Sequence, residues 1–271
     1  MNGRVLVIAG SDSGGGAGIQ ADIKTVTMLD AFAATAITAL TAQNSEGVFG
    51  VLPIAPEFIR QQIEVVLDDI GADSVKTGML HDVGVIETVA EVLAARAPDV
   101  PLVVDPVMVA KGGAALIEPS AIDALKRLLI PRAAVLTPNL PEAEILAGCP
   151  IDSLAAMQST AEVLVALGCR GVLLKGGHLP GATVYDVLAT ASGQRVWQSP
   201  RIDSRHTHGT GCTLASAIAA GLAQAIPVEE AVERAREYVR GAIASAPGFG
   251  RGHGPLDHAH PLRAERRLAS G

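Results

Sequence analysis

Residues His208-Gly209-Thr210-Gly211-Cys212 set two glycines and a thiol at the head of an apolar run that continues to Ile226. Glycines at a helix start leave backbone N–H groups open at the positive end of the helix dipole. Gly209, Thr210 and Gly211 are therefore a candidate anion hole, suited to charge developing on a transferred phosphoryl group. Cys212 falls in the first turn, where that dipole is expected to lower a thiol pKa from about 8.5 toward neutrality. Such a thiol serves as a general base or as an anionic hydrogen-bond partner. As a small buried hydrophobe it would do neither.

Other residues fit the same chemistry. Lys175 is a candidate point charge for a phosphate. Asn139 and Glu142 place an amide and a carboxylate three residues apart at a helix start. Oxygen ligands of that kind suit Mg²⁺, and the same pair also reads as an N-cap with an acid in the first turn. Asp105, at a strand end, is a second Mg²⁺ partner. The segment "GSDSGGGAG", residues 10–18, has a phosphate-loop look. It lacks the Gly-Lys-Ser/Thr of a Walker loop, and its glycines do not fit GxGxxG. It either admits a ligand close to the backbone or makes a tight strand-to-helix turn. His206/His208 and His258/His260 form two HxH pairs without partners at zinc spacing, and read as loop or surface histidines.

These residues need elements to hold them. Apolar β-type runs alternate with helical patterns along the chain: "RVLVIAG", "TAITALTA", "DSVKTG", "PLVVDP", "AAVLTPN" and "GVLLKGGH" each precede a helix or a turn. A hairpin, "TVYDVLATASGQRVWQS", turns at Ser192-Gly193, and two further helices close the chain. Nearly all-apolar strands between helices predict a three-layer α/β/α fold with a mostly parallel central sheet and a small β-hairpin or lid element. Residues 1–260 read as one domain and 261–271 as a polar tail. In open α/β sheets ligands bind beyond the carboxyl ends of the strands. Gly10-Ser11-Asp12, Lys76-Thr77-Gly78, Asp105-Pro106, Thr137-Pro138-Asn139 and Lys175-Gly176-Gly177-His178 are therefore expected on one rim.

Composition excludes several classes. A net charge of −7 and 3% aromatics argue against nucleic-acid binding. The 3 cysteines form no CxxC pair, which points to a reducing compartment, the cytoplasm, and away from a disulfide framework. The uncharged stretch 206–228 is rich in Gly, Ala, Ser and Thr, so it reads as a buried helix and not a membrane span.

The segments "AGSDSGGGAGIQADIKT", "TALTAQNS", "VKTGML", "DPVMVAKGG", "TPNLPEAE", "KGGH", "THGTGCTLASAIAA" and "GPLDHAH" together resemble the ribokinase-like superfamily. Within it they resemble the hydroxymethylpyrimidine/phosphomethylpyrimidine kinases of thiamine biosynthesis, over nearly the whole chain. The resemblance implies an ATP- and Mg²⁺-dependent kinase, a homodimer, that phosphorylates 4-amino-5-hydroxymethyl-2-methylpyrimidine and then its monophosphate. It implies that Gln43 hydrogen-bonds the aminopyrimidine and that Gly10, Asp22, Met79 and Val107 line the same pocket. It assigns Asp105, Asn139 and Glu142 to magnesium and triphosphate, Lys175 and Thr207 to phosphate, and Gly209 to Gly211 to the anion hole. Cys212 stands where most of the superfamily has an aspartate base. His206 replaces an asparagine expected in relatives. The alternatives are a pyridoxal-type kinase, against which Ala110 counts because such relatives often carry a cysteine there, and a catalytically silent sensor on the same fold.

Overall fold

The computed structural model describes residues 1–108 and 116–263; Ala110 and the tail beyond 263 lie outside them. In chain order the elements are β1 (Arg4–Ala9), α1 (Gly18–Met28), β2 (Phe32–Ile37), β3 (Ala39–Asn44), β4 (Gly47–Pro53), α2 (Pro56–Asp69), β5 (Ser74–Thr77) and α3 (Val83–Arg96). There follow β6 (Leu102–Val104), α4 (Pro119–Leu128), β7 (Ala133–Leu136), α5 (Leu140–Ala147), α6 (Leu154–Val165), β8 (Gly171–Lys175), β9 (Thr183–Thr190), β10 (Gly193–Pro200), α7 (Thr210–Ala223) and α8 (Val228–Ala244).

An eight-stranded sheet has the order β10-β9-β8-β7-β6-β5-β1-β2. The strands from β2 to β8 run parallel, while β9 and β10 add an antiparallel edge. Successive strand side chains point to opposite faces. In β1, Leu6 and Ile8 therefore join a core with α2 to α6, whereas Val5, Val7 and Ala9 join one with α1, α7 and α8. This double burial explains why the parallel strands read as continuous apolar runs. Local signals set the helix starts. Asp82 caps α3 by accepting the Val85 N–H, Ser153 caps α6 by accepting the Ala156 N–H, and proline begins α2 and α4. No helix among the described residues is long and apolar enough to cross a membrane. The uncharged stretch includes α7, most of whose residues are buried against the sheet.

Two features differ from the sequence expectation. The run "TAITALTA" is not one strand. Thr38, buried, donates its hydroxyl to the Met79 carbonyl at 2.6 Å, and the chain leaves the main sheet there. It continues as β3, which pairs with β4 in a separate two-stranded sheet. The small separate hairpin is thus β3–β4, while the hairpin expected at 183–199 extends the main sheet and turns one residue earlier, between Thr190 and Gly193.

A buried ion pair ties three elements under the carboxyl edge. Lys76 of β5 donates to both Asp22 oxygens on α1, at 3.0 and 2.9 Å, and Ser216 of α7 donates to the same carboxylate at 2.6 Å. Lys76, Asp22 and Ser216 are fully buried. Burial opposes the charge on Lys76, but the facing Asp22, with Cys212 and Asp105 beyond it, holds it above the ordinary lysine range. Removing one partner of a buried pair strands the other charge in a low dielectric. Lys76→Met is therefore expected to cost about 3–5 kcal/mol of stability. Chemical denaturation of the variant checks this, and a loss below about 1 kcal/mol, the size of an exposed pair, would contradict it.

Candidate active site

A cavity of about 1120 Å³ opens beyond the carboxyl ends of β1, β5, β6, β7 and β8. Gly10, Ser11 and Asp12 line it from β1, Gly78 and Met79 from β5, and Asp105 and Val107 from β6. Asn139 and Glu142 enter it after β7, and Lys175 from β8. Gln43 reaches it from β3, and Thr207, Gly209, Thr210, Gly211 and Cys212 close it from the start of α7. The strand-end residues do converge on one rim. Among the residues proposed from the sequence, Asp22 does not line this cavity. Its carboxylate turns inward to Lys76 and Ser216, and Lys76 is the member of the pair that reaches the cavity wall.

At the cavity wall, Gly209 caps α7 in the left-handed conformation (φ 81°, ψ 7°). A side chain there would collide with the Gly16 carbonyl as well as strain the backbone. A Cβ on Gly211 would lie 3.2 Å from the Lys175 ammonium. Glycine at both positions thus lets the helix start approach both the residue 10–18 loop and Lys175. Lys175 donates to Asp105 Oδ1 at 3.3 Å, and Thr137 Oγ1 donates to the same atom at 3.2 Å. Burial disfavours the Lys175 charge, yet Asp105 and Glu142 outweigh it and keep its pKa raised. Asn139 and Glu142 form a full capping box: the Glu142 carboxylate accepts the Asn139 N–H at 2.8 Å, and the Asn139 amide oxygen accepts the Glu142 N–H at 2.9 Å. Burial, with Asp105 nearby, pushes the Glu142 carboxyl up to about 7 despite Lys175.

The glycine loop is organised from within. Asp12 accepts the Gly14 N–H at 2.8 Å, the Gly16 N–H at 3.0 Å and the Ala17 N–H at 2.8 Å, while its carbonyl accepts the Gly15 N–H at 2.8 Å. His208 Nε2 stands 2.8 Å from Asp12 Oδ2. Burial works against the Asp12 charge, but His208 and the loop amides hold its pKa below the usual carboxylate range. The amides that a phosphate would need are already taken up, so the loop is a turn built around its own anion. Gly16 is required because a Cβ there would lie 2.5 Å from His208 Cδ2.

Cys212 is half-buried at the cavity wall. Its thiol pKa is not lowered by the helix start. Burial, with Asp22 and Asp105 adding negative field, pushes it up to about 12, and neither the Lys76 charge nor the Gly18 N–H compensates. The expectation of a near-neutral thiol considered only the dipole; desolvation and two carboxylates override it.

Residues 12–257 match the phosphomethylpyrimidine kinase family. The chain belongs to that family. It is 50% identical over 258 residues to the hydroxymethylpyrimidine/phosphomethylpyrimidine kinase of Streptomyces coelicolor, covering 95% of each chain. It is 51% identical over 256 residues to the thiamine biosynthesis bifunctional protein ThiED of Geobacter sulfurreducens, covering 94% of this chain but only 52% of that protein, so the chain spans about half of its length. Among solved structures it superposes on pyridoxal kinase of Bacillus subtilis, an ADP complex, with a TM-score of 0.89 at 38% identity, covering 97% of this chain and 99% of that one.

Asp12 and Lys76, expected only as strand-end residues of the rim, His208, expected as a loop or surface histidine, and Thr41, given no role by the sequence, all line the cavity. A lysine in the middle of a strand, "SVKTG", is an available signal. An aspartate two residues before a glycine run was another, because buried N–H groups need an acceptor. His208 carried no local signal, since its partners lie 196 and 165 residues away.

The raised thiol pKa has a direct consequence. Only the thiolate alkylates, so a raised pKa lowers reactivity at every pH below it. In the ligand-free protein, Cys212 alkylation by iodoacetamide is expected to climb about tenfold per pH unit from pH 8 to 10 without levelling off. Peptide mapping by mass spectrometry checks this; a plateau near pH 8 would show an ordinary or depressed pKa.

Proposed function

We propose that this chain transfers the γ-phosphoryl group of ATP to the hydroxyl of 4-amino-5-hydroxymethyl-2-methylpyrimidine, and then phosphorylates the monophosphate to the diphosphate, in thiamine biosynthesis. The carrying observation is the cavity's lining: the amide of Gln43 from the hairpin, and the glycine start of α7 beside Lys175. Family membership and the curated relatives' names support the choice of pyrimidine. The ADP complex of the Bacillus subtilis neighbour supports ATP as donor.

In this reading Gly10, Met79 and Val107 enclose the ring, and Gln43 reads its amino edge. Lys175, Thr207 and Asn139 face the triphosphate. The Gly211 and Cys212 N–H groups, at a helix start with no intrahelical acceptor, receive charge from the transferred group. Asp105 and Glu142 would hold Mg²⁺. Their fit rests on the donor set: two carboxylates that line the same cavity beside Lys175, the hard oxygen ligands that Mg²⁺ takes. Among the described residues no cluster of three potential ligands occurs, and Mg²⁺ needs only one or two carboxylates beside phosphate and water. Bound there, it would neutralise charge on the phosphates. We also propose a homodimer through the hairpin, where Leu40, Phe49, Val51 and Leu52 are exposed apolar residues.

The two phosphorylations make different demands. The first attacks with a primary alcohol, which must lose a proton. The second attacks with a phosphate oxygen already mostly dianionic above a pKa of about 6. Cys212 forms a scarce but strongly basic thiolate, facing Lys76 and the Gly18 N–H. Cys212→Ala is therefore expected to slow the first step by about 10²–10⁴-fold and the second by less than about tenfold. Single-turnover assays on each substrate, with pyridoxal as a third, test both the function and the role. Equal losses in the two steps would leave the thiol only a shaping role. Turnover of pyridoxal but not of the pyrimidine would replace the proposed substrate.

A further inference from the structure

Lys175, the candidate phosphate contact, has a carboxylate directly across the ladder. Lys175 of β8 pairs with Asp186 of β9, and Asp186 pairs in turn with Trp197 of β10. Residues directly opposite in an antiparallel pair carry their side chains on one face, with Cβ atoms about 4.5–5.5 Å apart. That register invites an ion pair between Lys175 and Asp186, yet the two side chains take other partners. The Lys175 ammonium donates to Asp105 Oδ1 at 3.3 Å. The Asp186 carboxylate is held by α8 and by backbone: Oδ2 accepts from Arg236 Nε at 2.7 Å, and Oδ1 accepts the Gly176 N–H at 3.2 Å. Arg236 has two further contacts, both to β10. Its Nη2 donates to Ser199 Oγ at 2.9 Å, and its guanidinium carbon lies 5.4 Å from the centre of the Trp197 ring. The side chains of Arg236 and Asp186 are only 10% and 14% exposed, and both residues line the cavity that Lys175 enters.

We infer that Arg236 is a positioning residue: it sequesters the Asp186 carboxylate and so leaves the Lys175 ammonium free to meet a phosphate. The inference rests on the nucleotide reading above, in which Lys175 faces the triphosphate. The argument is one of charge. A carboxylate one strand away on the same face, in a partly buried site, attracts the lysine and repels a phosphate. Arg236 neutralises that carboxylate and draws it toward α8. Gly176 fixes the other oxygen. It passes so close to β9 that a Cβ there would overlap the Tyr185 carbonyl, and this approach brings its N–H to Asp186 one residue beyond Lys175. A buried pair adds little stability over apolar residues of the same volume. The charges at positions 186 and 236 therefore matter chiefly to the other charges beside them, Lys175 and its ligand.

The experiment measures calorimetric binding of AMP-PCP, a non-hydrolysable ATP analogue, with magnesium present, in wild type, Arg236→Met, Asp186→Asn and the double variant. The KM values for ATP and for the pyrimidine are measured alongside. Arg236→Met leaves the Asp186 charge facing Lys175, so the Kd for AMP-PCP and the KM for ATP are expected to rise about tenfold or more, with the KM for the pyrimidine little changed. Adding Asp186→Asn removes that charge and keeps an oxygen for the Gly176 N–H. The double variant is therefore expected to recover most of the nucleotide affinity. Asp186→Asn alone is expected to lose far less affinity than Arg236→Met, although each breaks the same pair. A merely structural pair predicts a different pattern: stability falls in Arg236→Met and returns in the double variant, while the nucleotide affinity of the folded protein stays the same throughout. An Arg236 that itself holds the nucleotide predicts a loss that persists in the double variant. Either result overturns the inference while the kinase reading stands. Should Arg236→Met not fold, Arg236→Gln removes the charge, keeps an N–H for Asp186 and gives the same comparison. A wild type that binds no AMP-PCP overturns both.

Discussion

The site depends on the carboxylate of Asp12. It sits at the end of β1 and gathers the N–H groups of Gly14, Gly16 and Ala17 at 2.8 to 3.0 Å. A loop with several inward amides needs an anion. Elsewhere that anion is a phosphate from the ligand; here it is part of the chain. The consequence is rigidity before any ligand arrives. The loop is closed on its own charge, and α1 follows it directly at Gly18. His208, on the lead into α7, completes the same carboxylate, so the two glycine-rich segments are held against each other by one group. Gly209 and Gly16 are the points of contact, which is why neither can carry a side chain.

Beneath that layer lies a second. Lys76 and Asp22 form a fully buried pair below Cys212, and Lys175 and Asp105 a partly buried one beside Gly211. Buried pairs contribute little net stability compared with apolar residues of the same volume. Their value here lies in the fields they impose. The Cys212 thiol feels Lys76 on one side and Asp22 and Asp105 on the other, and desolvation decides the balance against the thiolate. A thiol placed at a helix start is therefore not reactive by virtue of that position alone.

Much of this was legible from the sequence, and the physical reason differs by feature. The parallel sheet could be read because strands buried on both faces must be apolar throughout. Its ligand-binding rim could be read because strand ends carry polar residues that a core would not tolerate. The break at Thr38 was hidden, since one hydroxyl reaching the Met79 carbonyl changes the chain's direction without altering the apolar pattern. The raised Cys212 pKa was hidden for a related reason. The dipole acting on it is local in sequence, but Asp22 and Asp105, which oppose it, lie 190 and 107 residues away. Asp22 was assigned to the right neighbourhood and the wrong side of the wall, because sequence pattern does not distinguish a residue that faces a cavity from one that holds up the residue that does.

The charge arrangement also constrains how ligands enter. Three carboxylates, Asp22, Asp105 and Glu142, share the carboxyl edge with two lysines, Lys76 and Lys175. Asp22 is matched by Lys76, which leaves Lys175 between Asp105 and Glu142. That corner is negative whenever Glu142 is ionised, and burial first, then Asp105, push its carboxyl up to about 7. A bare triphosphate would worsen the imbalance, and a bare divalent cation would relieve it while leaving its remaining positions to water. On the proposed reading, cation and nucleotide therefore each improve the site for the other. This coupling is reciprocal by linkage: whatever the cation adds to nucleotide affinity, the nucleotide adds to that of the cation. The glycine loop is spared that coupling, because its contacts with Asp12 and that of Asp12 with His208 are already made in the free protein.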